Sequence, residues 1–133
     1  MIDFDADFVT LTTDDISVSA CQSLLEEEDG VCTYCLKIEN NSDDKIRVLG
    51  KDLSLTDEKG NFYAPSEKSF HGEILELNPG EYFEFEDYLP LLGQTAVLYG
   101  TCHIIKEQTN KVEDIKIPLL QIFSNQSVPS VLN

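Results

Sequence analysis

The sequence is poor in positive charge. Its 133 residues carry nine Lys and Arg against 25 Asp and Glu, a formal net charge of −16. No cation precedes Lys37, and none falls between Lys68 and Lys106. Contacts to phosphate require cations, so this balance argues against nucleic acid and anionic membranes as partners. It leaves a plain reading, a surface charged for solubility, beside two functional ones: a basic protein partner, or mimicry of a polyanion. Long hydrophobic runs are missing too, with no apolar stretch near the roughly 18 residues that a membrane helix needs. The opening MIDFDADF is acidic where a secretory signal would be basic and then apolar, so a cytoplasmic protein is expected. The phosphate cradles G-x-x-x-x-G-K-[ST] and G-x-G-x-x-G do not occur. No segment sustains a helical repeat.

What is present is period-2 alternation. With 41% hydrophobic residues, seven Phe and five Tyr, the chain has the material for one hydrophobic core. ISVSACQSLL sets Ile16, Val18, Ala20 and Leu24 on one face, and VCTYCLKIEN does the same for Cys32, Tyr34, Leu36 and Ile38. These segments predict a hairpin across EEEDG. In IRVLGKDLSLT the alternation breaks at Gly50, as at a bulge. DEKG predicts a turn with Gly60 in the left-handed position, followed by NFYAP. After GEILEL, Asn78-Pro79-Gly80-Glu81 reads as a type II turn: Pro fixes φ at the first corner and Gly accepts positive φ at the second. EYFEFEDY then places Phe83 and Phe85 opposite Glu84 and Glu86. TAVLYGTCHIIKE and KVEDIKIPLLQIF form a last hairpin across QTNK. Seven to eight strands, each with one apolar face, need a second layer, which predicts an all-β antiparallel sandwich over residues 16–123. Residues 1–15 are expected as an N-terminal arm or edge strand, and residues 124–133 as a flexible tail.

Residues with chemistry are scattered. CTYC matches C-x-x-C, but no second pair follows at zinc spacing, and a strand puts Cys32 and Cys35 on opposite faces. If Leu25 pairs with Val31, register sets Cys21 opposite Cys35, on the face turned away from the core. Free thiols are expected there in a reducing cytosol. Asp3-x-Asp5-x-Asp7 opens like a calcium loop with Asp14 at position twelve, yet Phe8 stands where that loop needs Gly. His71 and His103 are far apart, and Cys102 and His103, adjacent on a strand, point to opposite faces. Carboxylates are too numerous for any pair to stand out as acid and base. The residues assign no catalytic, cofactor or metal site.

Four blocks nevertheless share an order and spacing: YCLKIENN, VLGKDLSLTDEKGNF, LELNPGEYFEFEDYLPL, and LYGTCHI followed by DIKIPLLQIF. In this the chain resembles the ApaG domain family over residues 16–123. Its most specific matches are Thr56-Asp57-x-x-Gly60, Pro79-Gly80-Glu81 followed by aromatics, and Ile117-Pro118. The resemblance implies an immunoglobulin- or fibronectin-III-like β-sandwich. Family members occur as small bacterial proteins linked by name to cobalt and magnesium efflux, and as modules of eukaryotic F-box and polymerase-interacting proteins. It implies a binding role rather than a reaction.

The sequence departs from the family in two places. The family carries a G-x-G-x-x-G loop before its Pro-Gly turn, proposed to hold phosphate. Here that loop falls on Glu67-Lys68-Ser69-Phe70-His71-Gly72, where only Gly72 matches and Glu67 replaces the first glycine. The family's Arg-x-Trp is Lys51-Asp52-Leu53. An anion at the altered loop would meet a carboxylate and bulkier side chains. The expectation is therefore a non-catalytic module without cofactor, binding a basic protein surface through an acidic sandwich face and its loops. The candidate surface comprises Glu67, Lys68, His71, Glu73, Glu76, Glu84, Glu86 and Asp87. The alternative is a small-ligand or metal-handling protein of the ApaG type, or a weak enzyme.

Overall fold

The computed structural model describes residues 8–23 and 30–124. The calcium-like Asp3, Asp5 and Asp7, the positions of Leu24 and Leu25, and the tail beyond residue 124 lie outside the described residues. Nine strands follow one another: β1 (Val9–Thr13), β2 (Ile16–Ser23), β3 (Val31–Asn40), β4 (Ile46–Asp57), β5 (Phe62–Tyr63), β6 (Leu75–Leu77), β7 (Tyr82–Pro90), β8 (Thr95–Lys106) and β9 (Val112–Phe123). The described residues contain no helix. All pairings are antiparallel, in two sheets ordered β1-β2-β3-β7 and β5-β4-β8-β9, with β6 also on β4. The count exceeds the expected seven to eight because the N-terminal segment also pairs: Val9–Thr13 lie along β2, so the first sheet begins before residue 16.

Alternation selects the core as expected. Ile16, Val18 and Ala20 of β2, Cys32, Tyr34, Leu36 and Ile38 of β3, and Phe85 and Leu89 of β7 face inward from the first sheet. Val48, Leu53 and Leu55 of β4, Leu98, Cys102 and Ile104 of β8, and Ile115, Ile117 and Ile122 of β9 meet them from the second. A large aliphatic side chain removed fully from water contributes about 1.5–3 kcal/mol, so this interior is the main stabilising force. The β4–β8 register shifts between Val48 and Gly50, the bulge expected from the broken alternation. A Cβ at Gly50 would lie 2.7 Å from the Lys68 carbonyl oxygen, which accepts the Lys51 amide at 2.7 Å. Only glycine lets segment 66–69 approach this closely.

The chain crosses between sheets at residues 41–45, 78–81 and 91–94. The Pro79-Gly80 turn is one such crossing: Glu81 N–H donates to Asn78 O at 2.9 Å, and Gly80 takes φ 86°. The strands flanking it, β6 and β7, lie in different sheets. Fully buried Asn40 ties this corner to the neighbouring one. Its amide donates to Asp44 O (2.8 Å) and Leu77 O (3.0 Å), while its carbonyl oxygen accepts from Ser42 N (3.0 Å) and Ser42 Oγ (2.6 Å). Its backbone exchanges bonds with Gly80 and Glu81. At one open side, the Gln22 side chain stands in for a strand, accepting from Phe123 N (3.0 Å) and donating to Phe123 O (2.7 Å).

Candidate functional site

The expected surface residues do not form one face. Strand β7 presents Tyr82, Glu84, Glu86 and Tyr88 outward from the first sheet, all exposed, with Tyr82 at 57% and Tyr88 at 66%. On the neighbouring strand, Lys37 stands opposite Glu84 but places its ammonium over the Tyr82 ring, 4.6 Å from the centroid. Beside it, a groove of about 320 Å³ is lined by Phe8, Cys35, Glu84, Phe85 and Glu86. Asp87 departs from this surface. It shares the parity of Phe85 and Leu89, is partly buried, and lies close enough to inward-facing Lys51 to favour that lysine's charged form. The reason is the pleat itself, since residues 86 and 87 must point to opposite faces.

Glu67, Lys68 and Glu76 belong to the second sheet's side. Glu76 on β6 meets Lys45 (3.7 Å) and Arg47 (3.9 Å), and Glu73 is exposed beside its backbone bridge to Phe70. Segment 66–72 is held by its own chemistry. The Glu67 carboxylate accepts from Ser69 N (2.9 Å) and Ser69 Oγ (2.7 Å), and Ser69 Oγ accepts from Gly72 N (2.7 Å). These bonds hold the Glu67 carboxyl below the usual carboxylate range. Two backbone donors of the loop, Ser69 N and Gly72 N, are thus occupied internally. Phe70 is driven into the core, edge-on to Phe85 at 4.9 Å, and His71 lies on Phe85 at 4.6 Å. His71 takes φ 55°, a conformation that a single tight turn imposes.

Among the described residues, Lys51 is the buried cation. It is 4% exposed, its Nζ lies 4.6 and 4.5 Å from the Phe70 and Phe85 ring centres, and it donates to Ser69 O at 2.6 Å. Burial pulls its pKa down, and Asp87 opposes that. Its stem packs as an apolar chain, while ring faces and a carbonyl receive the charge.

Over Gly50, Lys51 and segment 66–69 lies an open groove of about 550 Å³ that His103 also lines. His103 bridges two strands, with Nε2 2.7 Å from Asp52 Oδ2 of β4 and Nδ1 2.8 Å from Asp114 Oδ1 of β9. Lys68 pairs with the other Asp52 oxygen. Burial lowers the imidazole's pKa, but the bonds to Asp52 and Asp114 more than offset this, and its pKa stands above the ordinary histidine value. Lys68, and then His103, hold the Asp52 carboxyl below its usual range. With a carboxylate oxygen within hydrogen-bond distance of each ring nitrogen, both nitrogens of His103 are engaged inside the fold. Cys102 faces the core on the other side of the strand, with its thiol pushed up to about 12 by burial. No group of three or more His, Cys, Asp or Glu among the described residues is arranged to hold a metal ion. No described helix is long and apolar enough to cross a membrane.

Sequence reasoning placed Cys21 opposite Cys35, and the strands pair them so. It did not anticipate that Cys21, although outside the main core cluster, is fully buried while Cys35 remains partly exposed.

Two antiparallel sheets around one core, with exposed chemistry on loops and strand faces, define a small β-sandwich protein. No family model matches the chain. Among curated relatives it is similar to protein ApaG of Rhizobium meliloti, 28% identical over 118 residues covering 84% of this chain and 90% of the relative. ApaG of Sinorhizobium fredii is 27% identical with the same coverage, and ApaG of Parvibaculum lavamentivorans is 26% identical over 77% of this chain and 78% of the relative. Two solved structures share the fold. One is a structural-genomics target with a TM-score of 0.77 at 15% identity, covering 89% of this chain and 93% of that one. The other is a Bordetella pertussis protein named ApaA, with a TM-score of 0.69 at 17% identity, covering 91% and 98%. The chain is thus similar to ApaG proteins over most of its length and shares their β-sandwich fold.

Proposed function

We propose that the chain is a non-catalytic binding module whose outer β7 face docks a protein with a basic surface. The observation that carries this reading is the exposed run Tyr82, Glu84, Glu86, Tyr88 on an edge strand. Tyrosine gives a large contact area at low entropic cost, and carboxylates between the rings select a cationic counterpart. The only cation that the paired strand β3 offers, Lys37, lies against Tyr82 and leaves the negative field of Glu86 uncompensated. Two of the other acidic candidates have internal partners: Glu67 holds its own loop, and Glu76 meets Lys45 and Arg47. The interaction surface is therefore smaller than the sequence expectation and centred on β7.

The test begins with a partner captured from the native host and confirmed as a stoichiometric complex. Glu84→Lys/Glu86→Lys should then slow association several-fold at low salt and leave the fold intact, because charges at the rim of an interface act mainly on encounter and are screened by ions. Unchanged association kinetics and salt dependence in the reversed variant would reduce this face to a solubility device.

A further inference from the structure

We propose that Cys21 and Cys35 form a thiol–disulfide exchange site that takes small neutral or cationic disulfides and discriminates against anionic ones. Three observations place it. The residues are direct register partners on β2 and β3, and their side chains hydrogen-bond. Cys35 is partly exposed and lines the groove with Phe8, Glu84 and Glu86, whereas Cys21 is fully buried. The other two cysteines, Cys32 and Cys102, are buried inside the core.

This arrangement divides the labour. Cys35 is reachable and receives a hydrogen bond from Cys21 that holds its pKa below the usual thiol value, against the opposing effects of burial, Glu84 and Glu86. Its thiolate attacks one sulphur of R–S–S–R, forming Cys35–S–S–R and releasing one RS⁻, which takes up a proton. Cys21 then attacks the Cys35 sulphur, and its proton leaves with the expelled second thiol as RSH. Two protein thiols are oxidised, and one small disulfide is reduced to two thiols. Directly opposed strand residues have Cβ atoms about 4.5–5.5 Å apart, against about 3.5–4.5 Å in a disulfide, so closure draws β2 and β3 together by roughly 1 Å.

Charge selects the reagent. An incoming disulfide passes Glu84 and Glu86, and Lys37, the cation on that face, is committed to Tyr82. Cystamine, with two ammonium groups, should react on the order of tenfold faster than dithiodiglycolate, with two carboxylates, at low ionic strength, and salt should narrow the gap.

Intact mass spectrometry of the whole chain, with mapping of quenched samples, tests each step. The wild type treated with cystamine should lose two hydrogens with no adduct retained, and its earliest adduct should map to Cys35. Cys21→Ser should stop at the Cys35 mixed disulfide, and Cys35→Ser should react many-fold more slowly. Glu84→Lys/Glu86→Lys should reverse the preference between the two reagents. First adducts on Cys21, Cys32 or Cys102, a wild type that ends as a mixed disulfide, or equal rates for both reagents would overturn the proposal. The quenched wild-type map decides the order of attack even if a serine variant fails to fold. None of these readouts uses a protein partner, so they stand apart from the docking reading.

Discussion

Asn40, fully buried where β3 ends, satisfies four hydrogen bonds with one side chain. It does for two loops what a strand ladder does for its neighbours. Asn40→Ala removes the side-chain donor to the Leu77 carbonyl and one of two to the Asp44 carbonyl in a buried corner, where each lost buried partner costs about 1–3 kcal/mol. The expected destabilisation is about 3 kcal/mol, read from urea unfolding midpoints at unchanged slope. A loss under about 0.5 kcal/mol would mean that water reaches the corner and replaces the amide. Lys51 is the comparable case inside the sandwich. Its parity with Leu53 and Leu55 already placed it on the core face in the sequence, and Asp87 likewise shares parity with Phe85. Both signals were legible, but a charged residue invites assignment to the surface. The alternation outranks the charge here because Phe70 and Phe85 supply ring faces for the ammonium.

At the scale of elements, strands and turns were readable because each is specified by neighbours within a few residues. The β2–β3 register, the Gly50 bulge and the Pro79-Gly80 turn all arise this way. Contacts across strands were not. Asp52, His103 and Asp114 are separated by 51 and 11 residues, and only the β4-β8-β9 order brings them together. This clasp makes a pH prediction. His103 has a folded pKa above its unfolded value, so its contribution is complete below the unfolded pKa near 6.5 and is lost as pH rises through the folded one. Asp52 works with opposite sign: its contribution is present at neutral pH and lost as pH falls below the ordinary aspartate range. Thermal unfolding of wild type and His103→Gln should therefore differ most near pH 6 and converge toward alkaline pH. A constant gap from pH 5 to 9 would show that the ring acts by packing alone. The 66–72 segment makes a second prediction. With Ser69 N and Gly72 N already paired and Lys68 bound to Asp52, ATP and pyrophosphate should give no saturable calorimetric binding at physiological salt. Micromolar binding that disappears with Lys68→Ala would refute this.

For the whole molecule, a formal charge of −16 on a 14.9 kDa chain is a field rather than a set of pairs. Self-repulsion opposes compactness, and salt screens it with a Debye length of about 10 Å at 0.1 M. The melting temperature should rise by several degrees as sodium chloride increases from millimolar levels to about 0.3 M. A fall would assign more stability to Lys68–Asp52 and its like than to relief of repulsion.

The Gln22 clamp has a consequence in time. It joins β2 to β9 across 101 residues, and β9 also completes the core through Ile115, Ile117 and Ile122. A ribosome releasing this chain at about 5–20 residues per second leaves the β2–β3 hairpin without its opposing layer for several seconds. Through that interval Ile16, Val18, Leu36 and Ile38 lack their complete covering sheet, and it is then that their apolar surface is most open to aggregation.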